Sequence, residues 1–221
     1  MNYFGGILVI VEEIMKKNVI TLTEDATIED AMAVLNNHRI RHIPIVDELN
    51  QVVGIVSDRD IRDAGPSTLD KNHKVNLDQP ISIIMKRNVF TAHPLDFVEE
   101  ISSDFYEHNI GCLPIVEDEK LVGIVTETDM LHTLVKLMGA HQPSSQIEVR
   151  VENITGKLAE IAAIFKKSNV NITSVLVYPC KDLNYKILVF RFQTMDPRSI
   201  IAEIEQEGYT ILWPQMPGVD I

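Results

Sequence analysis

Apolar and polar positions follow two rhythms along this chain, and the first rhythm occurs twice. From Ile14 to Ala64, a short β-rich run at Val19–Leu22 precedes a helical stripe made of Ile28, Ala31, Met32 and Leu35, with Thr27 placed to cap it. Ile43–Val46 and Val52–Val56 are continuous apolar runs of strand length. They flank the polar turn Asp47–Gln51, as expected for buried strands joined by a short loop. A helix starting at Ser57 completes the unit. Ile84 to Leu134 repeats the pattern from Val89 onward, with its last helix running to Leu137: Met15 falls on Met85, Val19 on Val89, Pro44 on Pro114 and Asp60 on Asp129, with a one-residue slip before Gly54 and Gly123. A repeated unit decides the architecture before any local reading does. Each copy reads as strand, helix, strand, strand, helix, and two copies predict two similar pockets facing each other.

The second rhythm lies beyond Gly139. Ile147–Val151 alternates like a strand, and a helix follows Gly156 with Leu158, Ile161, Ala162 and Phe165 on its apolar side. Asn171–Tyr178 and Tyr185–Phe192 are strands. Asp196-Pro197 has the form of an N-cap with proline at the first helical position, that helix runs to about Glu207, and Tyr209–Trp213 is a last strand. The order βαββαβ is the ferredoxin-like unit. Gly65–Pro80 and Gly139–Gln146 read as connecting loops. The expected class is therefore α/β (α+β): a 1–10 extension, copies at 11–68 and 80–138, and a ferredoxin-like domain at 146–221.

Composition narrows the function classes. With 221 residues, 45% apolar and 24% charged, the chain has the composition of an ordinary globular protein and the length of one large domain or two to three small ones. Its 20 Lys and Arg against 32 Asp and Glu give a net charge of −12, which argues against nucleic acid or anionic membrane as a main partner. A small anionic ligand needs only a local basic patch and stays open. Cys112 and Cys180 lie far apart and form no framework, so a reducing, cytoplasmic compartment is the plain reading. No basic stretch precedes the first apolar run as in a secretory signal, and Ile7–Val11 is too short to cross a bilayer.

The strongest chemical candidate is Gly54-Ile-Val-Ser57-Asp-Arg59-Asp60 with its copy Gly123-Ile-Val-Thr126-Glu-Thr-Asp129. A buried strand ends there, and a helix begins with a hydroxyl and an aspartate three positions on. Free N–H groups at such a start suit phosphate, and a carboxylate can accept both hydroxyls of a ribose. The same spacing is also a capping box that merely satisfies the helix start, as at Thr27-x-x-Asp30, where no ligand is expected. A second candidate is His38-Arg39-Ile40-Arg41-His42, four basic or titratable side chains in an acidic chain. His38 and His42 have the spacing of helical metal ligands but lack a third, so no metal is assigned, and His38 suits a helix C-terminus. Arg41 and His42 sit where a strand opens and fit a phosphate contact. Gly111-Cys112 replace them in the second copy, so two phosphate pockets would be unequal. No nucleophile elbow, Walker loop, dinucleotide turn or His-Glu-x-x-His occurs. In the C-terminal part, Asn153-Ile-Thr-Gly156-Lys-Leu158 joins strand to helix. Gly156 is either a turn glycine or a close-approach point for a partner chain or a small zwitterion.

These residues carry a specific resemblance. Val-Ile-Thr-Leu (19–22), Arg-His-Ile-Pro-Ile-Val-Asp (41–47) and Gly-Ile-Val-Ser-Asp-Arg-Asp (54–60), each with its second copy, resemble a tandem pair of CBS domains, a Bateman module. Asn153-x-x-Gly156-x-Leu158 and Asn169-Val-Asn-Ile172 resemble an ACT domain, although Thr155 stands where many ACT domains carry proline. The order CBS, CBS, ACT is similar to the acetoin utilization family, which is tied to acetoin or butanediol catabolism through regulation. The resemblance implies a non-catalytic regulator with no required cofactor. It would bind an adenosine-type ligand, AMP, ATP or S-adenosylmethionine, in the cleft between the two motifs. Asp60 and Asp129 would hold ribose, and Ser57 and Thr126 would support ribose or phosphate. Backbone at Ile20-Thr21 and Phe90-Thr91 would flank adenine, and Arg41, His42 and Arg59 would meet phosphate. Ile43, Pro44, Cys112, Leu113 and Pro114 would complete the walls. Copy two lacks charge at Gly111, Cys112 and Thr128, which argues against a triphosphate there. ACT domains pair and often bind amino acids, so Asn153, Gly156 and Leu158 become a ligand or dimer face, and a homodimer with an unknown partner protein is implied.

Overall fold

The computed structural model describes residues 10–64 and 77–214, so all of the expected 1–10 extension except Ile10, and most of the first connecting loop, lie outside the described residues. The chain forms two compact units, one ending at Thr133 and the other starting at Leu134.

Each copy contributes a helix, a hairpin and a helix: α1 Ile28–His38, β1 His42–Val46, β2 Val52–Ser57 and α2 Asp58–Ala64, then α3 Val98–His108, β3 Cys112–Glu117, β4 Lys120–Thr126 and α4 Glu127–Leu137, the last of which crosses the boundary between the units. Both hairpins are antiparallel, and both shift register by a bulge at the equivalent point, Ile45/Val46 and Ile115/Val116. Thr27 caps α1 through a complete capping box with Asp30. Ile28, Ala31 and Leu35 face the core, while Met32 lies at its edge, 36% exposed.

The expected opening strands at Val19–Leu22 and Val89 reduce to single parallel bridges, Leu22 with Ile45 and Ala92 with Ile115. The reason is chemical. The Leu22 N–H donates to the Pro44 carbonyl (3.3 Å) and the Val46 N–H donates to the Leu22 carbonyl (2.9 Å). The next rung would need an N–H from Pro44, which proline lacks. Pro114 stops the Ala92 ladder in the same way. The carbonyls of Ile20 and Phe90 are therefore not taken up by these ladders.

The segments that lead into the copies are exchanged. Val11 and Met15 pack with Ala92, Ile101, Leu113 and Val125 of the second copy. Ile81 and Met85 pack with Ile28, Ile43 and Val56 of the first. Backbone bonds repeat the exchange: Lys16 and Ile124 trade two hydrogen bonds (2.9 and 3.1 Å), and so do Lys86 and Ile55 (both 2.9 Å). Part of the connecting segment is likewise clasped, since the Ile28 N–H donates to the Gln79 carbonyl and the Ile81 N–H to that of Ala26. Two glycines make the exchange fit. A Cβ on Gly54 would lie 2.6 Å from the Met85 sulfur, and one on Gly123 would lie 2.5 Å from that of Met15.

The second unit is a four-stranded antiparallel sheet in the order β6-β7-β5-β8, built from β5 Ser145–Glu152, α5 Lys157–Lys167, β6 Ile172–Pro179, β7 Tyr185–Phe192, α6 Arg198–Gln206 and β8 Thr210–Trp213. This is the ferredoxin-like order. One sheet face and the two helices bury Ile147, Val149, Val151, Ile161, Phe165, Phe190 and Phe192, with the Phe165 ring 5.1 and 4.9 Å from the other two. Leu158 does not join this core and is 41% exposed. α6 starts one residue later than expected. Pro197 takes the cap position, and Asp196 accepts from the Arg198 N–H (3.1 Å) and from its guanidinium.

The Met–Gly contact predicts a coupled defect. Gly54→Ala should destabilise the chain by about 1–3 kcal/mol through overpacking. Met85→Ala in the same chain, by emptying that space, should leave the double variant less destabilised than the sum of the singles. Urea unfolding midpoints of the four proteins measure the coupling.

Candidate functional site

The two candidate caps form as capping boxes. Ser57 Oγ donates to Asp60 Oδ2 (2.5 Å), the Ser57 N–H donates to the same oxygen (2.8 Å), and the Asp60 N–H donates back to Ser57 Oγ (3.2 Å). Thr126 and Asp129 repeat this at 2.5, 3.0 and 3.4 Å. Thr27 and Asp30 do so as well, which makes capping common to all three.

What separates the repeated pair from Asp30 is the other carboxylate oxygen. Asp60 Oδ1 meets Lys86 Nζ at 3.2 Å, and Asp129 Oδ1 meets Lys16 Nζ at 2.9 Å, each lysine coming from the opposite copy. The aspartates are only 13% and 15% exposed, while the lysines are 65% and 60% exposed. Such half-solvated pairs contribute at most about 1 kcal/mol, so a ligand can displace the lysine at little cost. Burial alone would raise the Asp60 pKa. The Ser57 hydroxyl and amide, together with Lys86, outweigh it and hold the group below its ordinary value.

Each cap opens onto its own cavity, and each cavity is walled by both copies. The first, of about 400 Å³, brings Ser57, Arg59 and Asp60 together with Lys86, Val89 and Phe90. The second, of about 270 Å³, brings Thr126 and Thr128 together with Lys16, Val19 and Ile20. Asp129 reaches the second through Lys16 and Thr126, its two partners. Arg41 and His42 line both cavities, and Cys112 lines the first. Thr21 and Thr91 line neither, although their neighbours Ile20 and Phe90 do. Ile43, Pro44, Leu113 and Pro114 also line neither, being buried within their strands. The crossing of walls also corrects the reading of copy two as the source of an uncharged second pocket. Gly111 and Cys112 wall the first cavity, while Lys16, Arg39 and Arg41 wall the second.

Local chemistry differs between the cavities. The Phe90 ring, 46% exposed, stacks on His108 at 4.1 Å and 14°. Cys112 is an apolar wall group, because burial pushes its thiol up to about 12. Burial, and then the Arg41 guanidinium, hold His42 below its ordinary pKa against the opposing pull of Asp58, Glu127 and Asp60. His38 and His42 are not on one helix: Arg39 turns left-handed at φ 53° between them. No cluster of three or more metal-ligating side chains occurs among the described residues.

Lys16, Lys86 and His108 escaped the sequence reading. The signal was present for the lysines, in Met15-Lys16 and Met85-Lys86 at equivalent points of the repeat. In the second unit Asn153 ties a loop, donating from its amide side chain to the Leu183 carbonyl (3.3 Å). Gly156 caps α5 at φ 96°, and its nearest neighbour to a Cβ would be Glu160 at an ordinary 3.7 Å, so conformation explains this glycine better than a close approach. Beside it Lys157 bonds Glu160 (2.9 Å), which also accepts from the Tyr209 hydroxyl.

The CBS domain family profile matches residues 11–67 and 81–136, and the ACT domain profile matches residues 145–208. The chain belongs to the CBS domain family, as a tandem CBS pair followed by an ACT domain. A CBS domain-containing protein of Dictyostelium discoideum is 33% identical over 143 residues, which is 62% of this chain and 99% of that protein. A crystal structure of a Vibrio cholerae protein named for acetoin utilization (AcuB) superposes with a TM-score of 0.53 at 31% identity, covering 62% of this chain and all of that one. The CBS domain pair of protein MJ0100, solved with 5′-methylthioadenosine and S-adenosyl-L-methionine, gives 0.50 at 36%, covering 57% and 98%. Two other curated relatives are enzymes of which the chain spans 25% and 23%.

His42 makes stability depend on pH. Its folded pKa lies below the ordinary 6.5, so the unfolded chain takes up the proton first. Stability should be unaffected above that value and should fall as pH drops through 6.5 toward the folded pKa, by at most about 1.4 kcal/mol per pH unit. Asp60 acts in the same direction, but only once pH falls below its ordinary 3.8. His42→Gln should flatten the upper window, as read by denaturant midpoints across pH.

Proposed function

We propose that this protein is a non-catalytic, cytoplasmic regulator that senses an adenosine-containing ligand of the AMP, ATP or S-adenosylmethionine class in its CBS clefts. One observation carries the reading: Asp60 lines the first cleft and Asp129 lies behind Lys16 at the second, each with one oxygen bonded in the cap and the other meeting an exchangeable lysine. A ribose diol can replace that lysine, each hydroxyl donating to the carboxylate. The Ile20 and Phe90 carbonyls left by Pro44 and Pro114 are suited to accept from the adenine amino group. The adenosine compounds bound by the MJ0100 pair support the class of ligand, and the Vibrio cholerae relative supports a role in acetoin utilization.

The lysine that would yield to the ribose also bonds the opposite copy through its backbone. A ligand that displaces it therefore acts on the contact closing the pair, and regulation requires that it bind one arrangement of the pair better than another. The output would pass through the ACT domain, through a homodimer, or to a partner protein.

Thermal unfolding tests this. A bound adenosine ligand should raise Tm saturably, with a gain of about 2.7 kcal/mol at 100 times Kd. Asp60→Ala combined with Asp129→Ala should abolish the shift while the chain stays folded. No shift with AMP, ADP, ATP or S-adenosylmethionine would overturn the sensor and leave an interaction scaffold. A retained shift in the double variant would overturn the role of the aspartates.

A further inference from the structure

The two cavities differ in charge: three carboxylates and three cations line the first, whereas the charged side chains lining the second are all cationic. Asp58 and Glu127 occupy equivalent positions in the two copies, yet both line the first cavity and neither lines the second. With Asp60 they place three carboxylates around the first. They face Arg41, Arg59 and Lys86, which leaves the first cavity close to neutral, and Lys86 is engaged by Asp60 at 3.2 Å. The second cavity is lined by Lys16, Arg39 and Arg41, and no Asp or Glu lines it among the described residues. Its aspartate, Asp129, stands behind Lys16.

One cationic pair serves both clefts. Arg41 and His42 line each of them, while the equivalent Gly111 and Cys112 bring no charge. Arg41 leans toward the second cavity, with its Nη2 donating to Thr128 Oγ1 at 3.5 Å. His42 leans the other way. Its Nε2 lies 2.6 Å from where a Gly111 Cβ would be, so its ring occupies the space that glycine leaves beside the first cavity. A single guanidinium cannot face phosphates on both sides.

Resting on the adenosine reading above, we infer that the clefts are divided by charge. The second cavity takes the phosphorylated adenosine, of the AMP class. The first takes an adenosine whose 5′ substituent is uncharged or cationic, a sulfonium being the fitting chemistry. A phosphomonoester with nearly two negative charges gains little in the first cavity, where Asp58, Asp60 and Glu127 offset Arg41, Arg59 and Lys86, and is attracted by the Lys16, Arg39 and Arg41 group of the second. A sulfonium whose tail carries both an ammonium and a carboxylate suits the balanced first cavity and would meet only cations in the second. The larger volume of the first cavity, about 400 against 270 Å³, also suits the longer amino-acid tail.

Calorimetric titration of the full chain with AMP and with S-adenosylmethionine, each alone and then with the other saturating, decides it. The expected result is one of each per chain, with each Kd changed less than twofold by the other. Arg39→Gln should weaken AMP at least tenfold and spare S-adenosylmethionine, and Glu127→Gln should do the converse. Two equivalent AMP per chain, mutual competition, or an AMP affinity indifferent to Arg39→Gln would overturn the division while leaving the sensor reading intact. AMP binding without S-adenosylmethionine binding would overturn the assignment of the first cavity. Absence of binding by both would remove the sensor reading itself, and the division with it.

Discussion

The exchange of leading segments is the constraint on which the first unit depends. Met15 closes the core of the second copy and Met85 that of the first, each seated on a glycine where any Cβ would collide with its sulfur. Neither copy therefore has a complete core by itself. The hairpins β1–β2 and β3–β4 are two-stranded, too small to be stable in isolation, and each gains its missing edge and its missing apolar side chains from the other. The clefts follow from this exchange. A segment that enters the opposite core must run past that copy's cap, which brings Lys16 to Asp129 and Lys86 to Asp60.

Capping and ligand recognition are then one geometry used at two levels of burial. Thr27 and Asp30 show the motif with only structural work to do, at an exposed helix start. Ser57–Asp60 and Thr126–Asp129 place the same bonds in a partly buried cleft, with a spare carboxylate oxygen facing a cation from elsewhere in the chain. Spacing alone cannot separate the cases, because the difference lies in what the opposite copy brings to the outer oxygen.

This locates what was legible in the sequence. The helices, the hairpins and the ferredoxin-like order were readable because period and turn chemistry are local properties. The Pro44 interruption was also local, yet it was missed because the apolar run Val19–Leu22 has strand composition and the missing donor sits on the strand it would pair with. The positions of Ile43, Pro44, Leu113 and Pro114 behind the walls, and the contribution of Lys16 and Lys86, depend on contacts between the copies. A reading of each copy alone assigned Gly111 and Cys112 to the pocket of their own motif. The exchange moves them to the other.

The exchange also ties ligand chemistry to the stability of the pair. Lys16 makes two kinds of contact with the second copy: its backbone trades hydrogen bonds with Ile124, and its ammonium holds Asp129. Lys86 does the same with Ile55 and Asp60. A ribose competing for the carboxylate removes the second contact and leaves the first. The freed ammonium can then meet an anionic ligand or return to solvent. In the second cavity it stays, because a phosphate would gather Lys16 with Arg39 and Arg41, whereas Lys86 would face a first cavity whose ligand offers it little charge.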